Sequence, residues 1–441
     1  MKKSKEIKPD PQSSASQVTR RQFLQILGAT ASVAAVAPTA LAQLKGSLTK
    51  WDVRAPACYV YVGTYTAPNY APGGKRPSTA KGIYAFRMDQ NQGNLVPVQI
   101  VEDENPSFLA VDPMMKYLYC VNELGADSAG KPLGRVSAYK IDPSEGKLSF
   151  INTEPTNGTW PCHCWVHPSG RYLFAANYGS GSFPAYPIRG DGSIGKMTDL
   201  FQGVGNGTGP DQARQEGPHA HMILTNPGAQ HVFGVDLGAD QVTAWDLNRA
   251  SGKLTPGTVP YASITSGGGC RHMAFHPGDK FAYVLNELSS SIEVFDFDPI
   301  RGSFIWIQTV STLPKDTNHV RPKFDPTNPG KVPSGTNTTA EIRVHSSGNW
   351  VYATNRGMNT VAMFTVDPDS GKLTATGWVP TQGEIPRGMN IDPSGAFLCV
   401  GNQNSDLIVV FRIDTQDGKL KGPVHTLSSP VPVDFAFGPP A

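Results

Sequence analysis

The chain has 441 residues and carries 38 lysines and arginines against 36 aspartates and glutamates, a formal net charge of +2. With 46 glycines, 38 prolines and only 17% charged residues, its composition is typical of a turn-rich β protein. This excludes a coiled coil, a charged disordered chain and a helical bundle. The near-neutral charge gives no reason to expect nucleic acid or an anionic membrane as a partner.

The first 42 residues have the pattern of an export signal. The pair Arg20-Arg21 is followed by an apolar, alanine-rich run from Ile26 to Ala37 and by a small-x-small cleavage pattern at Ala40–Ala42. This order resembles a twin-arginine signal peptide. The run is short for a bilayer span, so we expect cleavage, with a retained anchor as the alternative. We therefore predict a protein that the twin-arginine machinery exports to the periplasm or beyond, without a stable membrane anchor.

The remaining chain is built from a repeated unit. A Gly-x-(Leu/Ile/Phe) turn recurs seven times, at Gly93, Gly146, Gly192, Gly252, Gly302, Gly371 and Gly418. Each unit also contains a short β run that ends in a polar residue, such as Phe281–Asn286, preceded by a run that closes on a turn such as His276-Pro277. The spacing of about 46–69 residues fits one four-stranded propeller blade per unit.

The two ends of the chain complete the count of blades. The segment Val433–Pro439 has the pattern of an inner strand without a blade, and Tyr59–Thr64 that of a second strand without an inner one. Joined, they close the ring and remove exposed sheet edges. We predict an all-β, seven-bladed β-propeller at residues 59–441, with N- and C-terminal strands sharing one blade, after a short linker at 43–58. Two stacked β-sandwiches, the alternative, would not require complementary termini.

Aligning the units collects ionisable residues at one mouth of the ring. The first inner-strand positions align as Ser107, Cys162, His221, Arg271, Ala340, Arg387 and Val433. The start of the inner strands and the end of the second strands, which return to the same face, bring together His163, His219, His221, Arg271, His272, Arg356, Arg387, Glu123, Glu287 and Glu341, with Arg343 slightly deeper.

This set of residues suits the chemistry of an acidic substrate. Converging arginines bind a carboxylate or phosphate, a glutamate accepts a proton from water, and a histidine passes it on. The structural alternative is that Arg271 and Glu287 are an ion pair that locks two strands. Cys162-His163-Cys164 lacks a second ligand pair at zinc-like spacing, so we predict no metal and no cofactor. We expect the cysteines to be buried free thiols.

Several segments resemble the seven-bladed propeller lactonase family, which includes bacterial propeller-type 6-phosphogluconolactonases and fungal carboxy-cis,cis-muconate cyclases. The similar segments are 61–66, 217–221, 236–240, 271–277 with 283–288, 340–343 and 386–388. The resemblance implies the catalytic residues His221, Arg271, Glu287 and Arg343. We expect the substrate to be bound by His219, His272, Arg387, Arg356 and Glu341.

The predicted function is hydrolysis of a small anionic sugar lactone. Glu287 would activate water, Arg271 would stabilise the oxyanion, and Arg343 and Arg387 would hold the acidic end of the substrate. Two alternatives stay open: a muconate-type cyclase that forms a lactone, and a non-catalytic periplasmic propeller that binds a ligand. Because export separates the protein from cytoplasmic 6-phosphogluconolactone, a different sugar or aromatic lactone is an alternative substrate.

Overall fold

The computed structural model describes residues 56–66, 78–205, 207, 209, 211–323 and 332–441. The predicted signal peptide, residues 1–42, and all but the last three residues of the predicted linker lie outside them. In the described part of the chain, 28 strands form seven four-stranded antiparallel sheets. The helical turns there are two short 3-10 turns, Gln212–Arg214 and Gln403–Ser405. No described helix is long and apolar enough to cross a membrane.

The seven sheets are the predicted blades. The shared blade contains β1 (Ala57–Thr64), β2 (Gly82–Asp89) and β3 (Leu95–Glu102), with β28 (Pro432–Pro440) as its inner strand. The next three blades are β4 (Pro106–Val111), β5 (Tyr117–Asn122), β6 (Arg135–Ile141) and β7 (Leu148–Pro155); β8 (Pro161–Val166), β9 (Tyr172–Asn177), β10 (Ser182–Pro187) and β11 (Asp199–Gln202); and β12 (Ala220–Thr225), β13 (His231–Asp236), β14 (Gln241–Asn248) and β15 (Lys253–Ser263).

The last three blades repeat the same order. They are β16 (Cys270–Phe275), β17 (Phe281–Asn286), β18 (Ser291–Asp298) and β19 (Ser303–Ser311); β20 (Thr338–Val344), β21 (Trp350–Arg356), β22 (Thr360–Val366) and β23 (Leu373–Pro380); and β24 (Pro386–Ile391), β25 (Phe397–Asn402), β26 (Leu407–Ile413) and β27 (Leu420–Ser428). Second strands such as β17 are buried along their whole length, whereas outer strands such as β19 are partly exposed. The core therefore lies between neighbouring blades, where both faces of a sheet are covered.

The recurring glycine is explained by contact between neighbouring blades. Gly146 has a φ of 67°, and a Cβ there would lie 2.1 Å from the ring of Tyr59. Gly371, with a φ of 70°, packs in the same way against Phe281. Any other residue would require a left-handed conformation and would also clash with the aromatic ring. The glycine of each unit is thus needed to seat one blade on the next.

The shared blade closes the ring without a covalent bond. β28 pairs antiparallel with β1, with Val60 opposite Phe437 and Val62 opposite Phe435, which confirms the predicted pairing of the termini. The closing strand is also tied to both of its neighbours. The Leu109 amide donates to Asp434 Oδ2 over 2.8 Å, and the Asn390 side-chain amide donates to the Phe435 carbonyl over 2.8 Å.

All six cysteines are buried free thiols, and burial raises the pKa of Cys58, for example, to about 12. We expect the native protein to react with no equivalents of a thiol reagent within minutes, because burial blocks access and suppresses the thiolate. After unfolding in denaturant without reductant, six thiols should react. Four or fewer reactive thiols in the unfolded protein would indicate a disulfide and contradict this arrangement.

Asp434 makes stability depend on pH in a defined direction. Burial raises the pKa of its carboxyl from 3.8 to about 8, although Arg343 opposes this. At pH values between 3.8 and about 8, folding takes up a proton on Asp434. The stabilisation from the protonated carboxyl is therefore fully present at acidic pH and is lost as the pH rises through about 8. Between pH 5 and pH 9, we expect the free energy of unfolding of Asp434→Asn to rise relative to that of the wild type by at least about 1 kcal/mol. The free energies are measured by unfolding in denaturant, with Asp369→Asn at an exposed position as control. If the pH dependence of stability were the same in Asp434→Asn and the wild type, the prediction would be contradicted.

Candidate active site

A β-bulge at the start of each inner strand sets the geometry of the mouth. In β16, Cys270 pairs with Asn286 and His272 with Leu285, so Arg271 is an extra residue without a partner in the ladder. The corresponding extra residues are Ser107, Cys162, His221, Arg387 and Val433, and in β20 the irregularity covers Ala340 and Glu341. Bulges re-aim side chains, and Arg271 and His272 consequently both contact the next inner strand.

Glu287 lies at the centre of a buried ionic group that we call the mouth cluster, with Arg214, Arg271 and Arg356. Its Oε1 accepts from Arg214 over 2.8 Å. Its Oε2 accepts from Arg271 Nε over 3.0 Å and lies 3.0 Å from an Arg356 nitrogen. Burial alone would raise the pKa of Glu287, but the three guanidinium groups hold it far below its ordinary value. Both carboxylate oxygens are therefore occupied, and the carboxylate stays ionised.

Backbone carbonyls of the inner strand β20 fix two of these arginines. Arg356 donates to the Thr339 carbonyl over 2.6 Å, and Arg271 NH1 donates to the Ala340 carbonyl. Burial lowers the pKa of Arg356 to about 9 despite the attraction of Glu287. The two side chains thus have fixed directions before any ligand binds.

A group of aromatic and imidazole rings borders the mouth cluster on one side. Tyr178 stacks on His219 with centroids 4.6 Å apart, and its hydroxyl accepts from Arg214 Nε over 3.0 Å. The His221 ring lies edge-on to Tyr178 at 5.5 Å, and its Nδ1 is 3.6 Å from Cys162 Sγ. Burial, followed by the charge of nearby Arg271, holds the pKa of His221 well below its ordinary value. His221 is therefore neutral at physiological pH.

On the other side of the mouth, Arg387 lies over the ring of Tyr65 at 5.4 Å. The Tyr65 hydroxyl donates to Glu123 Oε2 over 2.9 Å, and Ser107 Oγ donates to the same oxygen over 2.6 Å. Burial lowers the pKa of Arg387, but Tyr65 and Glu123 raise it more strongly. Arg387 is therefore a permanent cation at the mouth.

Three of the sequence-predicted residues lie one layer further in, and we call them the inner line: His272, Glu341 and Arg343. His272 Nδ1 lies 3.1 Å from Glu341 Oε1, and Arg343 NH1 lies 3.4 Å from the same oxygen. Arg343 Nε donates to the Met389 carbonyl over 3.1 Å. Burial would raise the pKa of Glu341, but Arg343 and His272 lower it to about 2. The inner line meets the mouth cluster where Arg271 NH1 lies 3.3 Å from His272 Nε2.

The structure brings together some of the predicted catalytic residues and separates others. Glu287 and Arg271 are in direct contact, and Arg356, predicted to bind substrate, joins them. His221 lies beside this group, 5.2 Å from the His272 ring. The predicted partner Arg343 instead pairs with Glu341 in the inner line.

Sequence reasoning missed Arg214 as a site residue. Arg214 lies in the 3-10 turn Gln212–Arg214 of the connection between β11 and β12, which has no counterpart in the repeat. Tyr178 directly follows the second strand β9, but nothing in the repeat indicates that its hydroxyl binds an arginine. The signal that could have found Arg214 is the unusual length of its connection.

A metal is not suggested by the side chains that the structure describes. In the described ranges, no group of three or more histidine, cysteine, aspartate or glutamate side chains is arranged to hold a metal ion. The side chains at the mouth carry guanidinium, carboxylate, imidazole and phenol groups. Such groups stabilise developing negative charge and transfer protons.

Comparison with known proteins shows which family the chain resembles. A family model described as "Lactonase, 7-bladed beta-propeller" matches residues 59–437. The chain is 34% identical to 6-phosphogluconolactonase of Bacillus subtilis over 334 residues, 76% of this chain and 84% of the relative. It is 32% identical to 6-phosphogluconolactonase of Pectobacterium atrosepticum over 302 residues, 68% of this chain and 79% of the relative.

A solved structure of a lactonase is also similar to this chain. The periplasmic gluconolactonase of Pseudomonas aeruginosa superposes with a TM-score of 0.75 at 29% identity, covering 87% of this chain and 99% of that one. The match to the family model spans nearly all of the described propeller, including every strand that contributes to the mouth cluster. The chain therefore belongs to the seven-bladed β-propeller lactonase family.

Proposed function

We propose that the protein hydrolyses an acidic sugar lactone at the mouth cluster. Relatives named 6-phosphogluconolactonase and a structural neighbour named gluconolactonase support this proposal. The observation that carries it is the pairing of Glu287 with three guanidinium groups, at 2.8, 3.0 and 3.0 Å. Such a group combines anion binding and oxyanion stabilisation with a carboxylate in one buried place.

The charge of the mouth favours an anionic substrate. Four arginines, Arg214, Arg271, Arg356 and Arg387, face two glutamates, Glu287 and Glu123. The excess of positive charge attracts a carboxylate or phosphate and raises its local concentration. Arg387, half-buried beside Tyr65, is suited to hold the acidic end of the substrate, as expected from the sequence.

In the proposed reaction, water attacks the lactone carbonyl and Arg271 stabilises the oxyanion that forms. The ring C–O bond then breaks, and the alkoxide takes up the proton that water gave to the enzyme. The product acid ionises, so each turnover releases one proton into solution. Glu287, or neutral His221 beside it, accepts the proton from water.

Glu287 is a weak base while three arginines hold it. The strength of a general base follows its pKa, and the pKa of Glu287 lies far below its ordinary value in the free protein. A substrate anion that is held by Arg387 and also contacts Arg356, whose charge lies near that of Arg387, competes with Glu287 for Arg356. Loss of one partner raises the pKa of the carboxylate, so substrate binding itself prepares the base.

The proposed location is the periplasm or the outside of the cell. The twin-arginine pattern around Arg20 and Arg21 supports export, although it lies outside the described residues. The similarity to a periplasmic gluconolactonase agrees with it. In that compartment the substrate is an acidic sugar lactone formed by oxidation outside the cytoplasm.

The activity is tested by following proton release from purified residues 43–441. We expect release above the spontaneous rate with 6-phosphogluconolactone, because hydrolysis forms an ionised acid. Gluconolactone, which carries no acidic group, tests whether the anion is needed for turnover. A muconolactone is assayed in parallel to test the cyclase alternative in its reverse direction. No release from either sugar lactone would reject the hydrolase proposal, and binding without turnover would favour a ligand-binding propeller.

The role of Glu287 is tested with Glu287→Gln. We expect kcat/KM to fall by at least about 100-fold, because the carboxylate that holds the arginines and accepts a proton from water is lost. The variant should also lose about 3–5 kcal/mol of stability, since buried guanidinium groups lose their partner. Assays are therefore run well below its unfolding temperature, and Glu287→Asp is measured as a charge-retaining variant.

Glu293→Gln is the matched control for this experiment. Glu293 is equally buried in the same blade, but its carboxylate accepts from the Thr265 amide over 3.0 Å and from Asn286 over 3.1 Å. It contacts no arginine of the mouth cluster. Wild-type activity in Glu287→Gln, or equal losses in both variants, would contradict the assigned role.

A further inference from the structure

The inner line connects to the mouth cluster through the contact between His272 and Arg271. Arg343 contacts Glu341, Glu341 contacts His272, and His272 Nε2 lies 3.3 Å from Arg271 NH1. His272 and Glu341 are 2% and 1% exposed, as deeply buried as Arg271. Their contacts lead towards Arg271.

The contacts of His272 determine which of its nitrogens carries the proton. A guanidinium group has only donors, so Nε2 must offer its lone pair to Arg271. The proton is therefore on Nδ1, which donates to the Glu341 carboxylate, 3.1 and 3.2 Å from its two oxygens. A carboxylate that fixes the tautomer of a histidine in this way also fixes the orientation of its ring.

The surroundings of His272 keep it neutral. Arg271, Arg343 and the rings of His163 and His221 lie around it, and Glu341 is the acidic group that contacts it. Burial lowers the pKa of His272 to about 4, although Glu341 opposes this. Across the neutral range the ring therefore accepts a hydrogen bond from Arg271 and does not repel it.

We propose that His272, held in the Nδ1–H tautomer by Glu341, is the positioning residue for Arg271. Arg271 Nε is fixed by Glu287 over 3.0 Å, and NH1 is fixed by the Ala340 carbonyl and by His272. With two of its three nitrogens held, the plane of the guanidinium group is set. Arg343 acts at the far end of the line, where its charge keeps Glu341 ionised. The catalytic consequence rests on the proposed lactonase function, whereas the tautomer does not.

Two substitutions separate positioning from packing. In His272→Gln the side-chain amide reaches the place of Nε2 and can accept from Arg271, whereas in His272→Asn it reaches only the place of Nδ1 and contacts Glu341. We expect kcat to fall at least about 30-fold in the asparagine variant, with KM within about 3-fold, and the glutamine variant to regain most of the rate. Equal activities, or a more active asparagine variant, would overturn the proposal.

His163→Phe is the matched control. His163 is equally buried, its ring lies 5.4 Å from that of His272, and its Nδ1 accepts from the Ile223 amide over 3.4 Å. We expect activity within about 3-fold of the wild type. A loss equal to that of His272→Asn would assign both effects to packing and overturn the proposal.

A spectroscopic readout is independent of lactone turnover. In protein labelled with 15N histidine, the signals that disappear in His272→Gln identify the His272 ring. We expect them to show the neutral Nδ1–H form, unchanged from pH 8 to pH 5. An Nε2–H form or an imidazolium at pH 7 would overturn the proposal. If the lactone assays fail while the Nδ1–H form is found, the failure lies in the proposed function and not in the tautomer.

Discussion

The ionic contacts around Glu287 are the constraint on which the mouth of the propeller depends. One carboxylate and three guanidinium groups are taken out of water together, and the desolvation of each is offset by the others and by neighbouring polar groups such as the Thr339 carbonyl. Glu287 and Arg271 belong to one blade, Arg356 to the next, and Arg214 to a connection between two others. The cluster therefore forms only when these parts of the ring have packed, and a missing member leaves a buried charge without a partner.

The ring supplies the rigidity that this cluster requires. Adjacent blades are seated by a glycine of one against an aromatic ring of the other, as at Gly146 and Tyr59. The shared blade closes the circle, so no sheet edge is left at the join. Within this frame, the β-bulges turn consecutive residues of each inner strand towards the next one. A long side chain such as that of Arg271 can then end on a backbone carbonyl of the next inner strand, whose position is fixed.

The architecture could be predicted from the sequence because it repeats. Seven equivalent turns and two incomplete terminal segments determine the number of blades and the pairing of the termini, and the same alignment finds the bulged positions such as Arg271. The contacts at the mouth could be predicted only in part. The sequence places Arg343 on the correct strand, but not the direction of its side chain, which runs to Glu341. Arg214 comes from a connection outside the repeat, so no alignment of units could include it.

The two layers of charge at the centre of the ring differ in what a ligand can change. In the inner line, the side chains of His272 and Glu341 are buried and are held by other parts of the protein, so their protonation is set by folding, whereas Arg343 is the partly exposed end of the line. The mouth cluster has more cations than Glu287 can satisfy, since three arginines share two carboxylate oxygens. An anion at the mouth therefore competes with a carboxylate rather than with water alone. The energy of binding the acidic end of a lactone is thereby coupled to the basicity of Glu287, and a neutral ligand lacks this coupling.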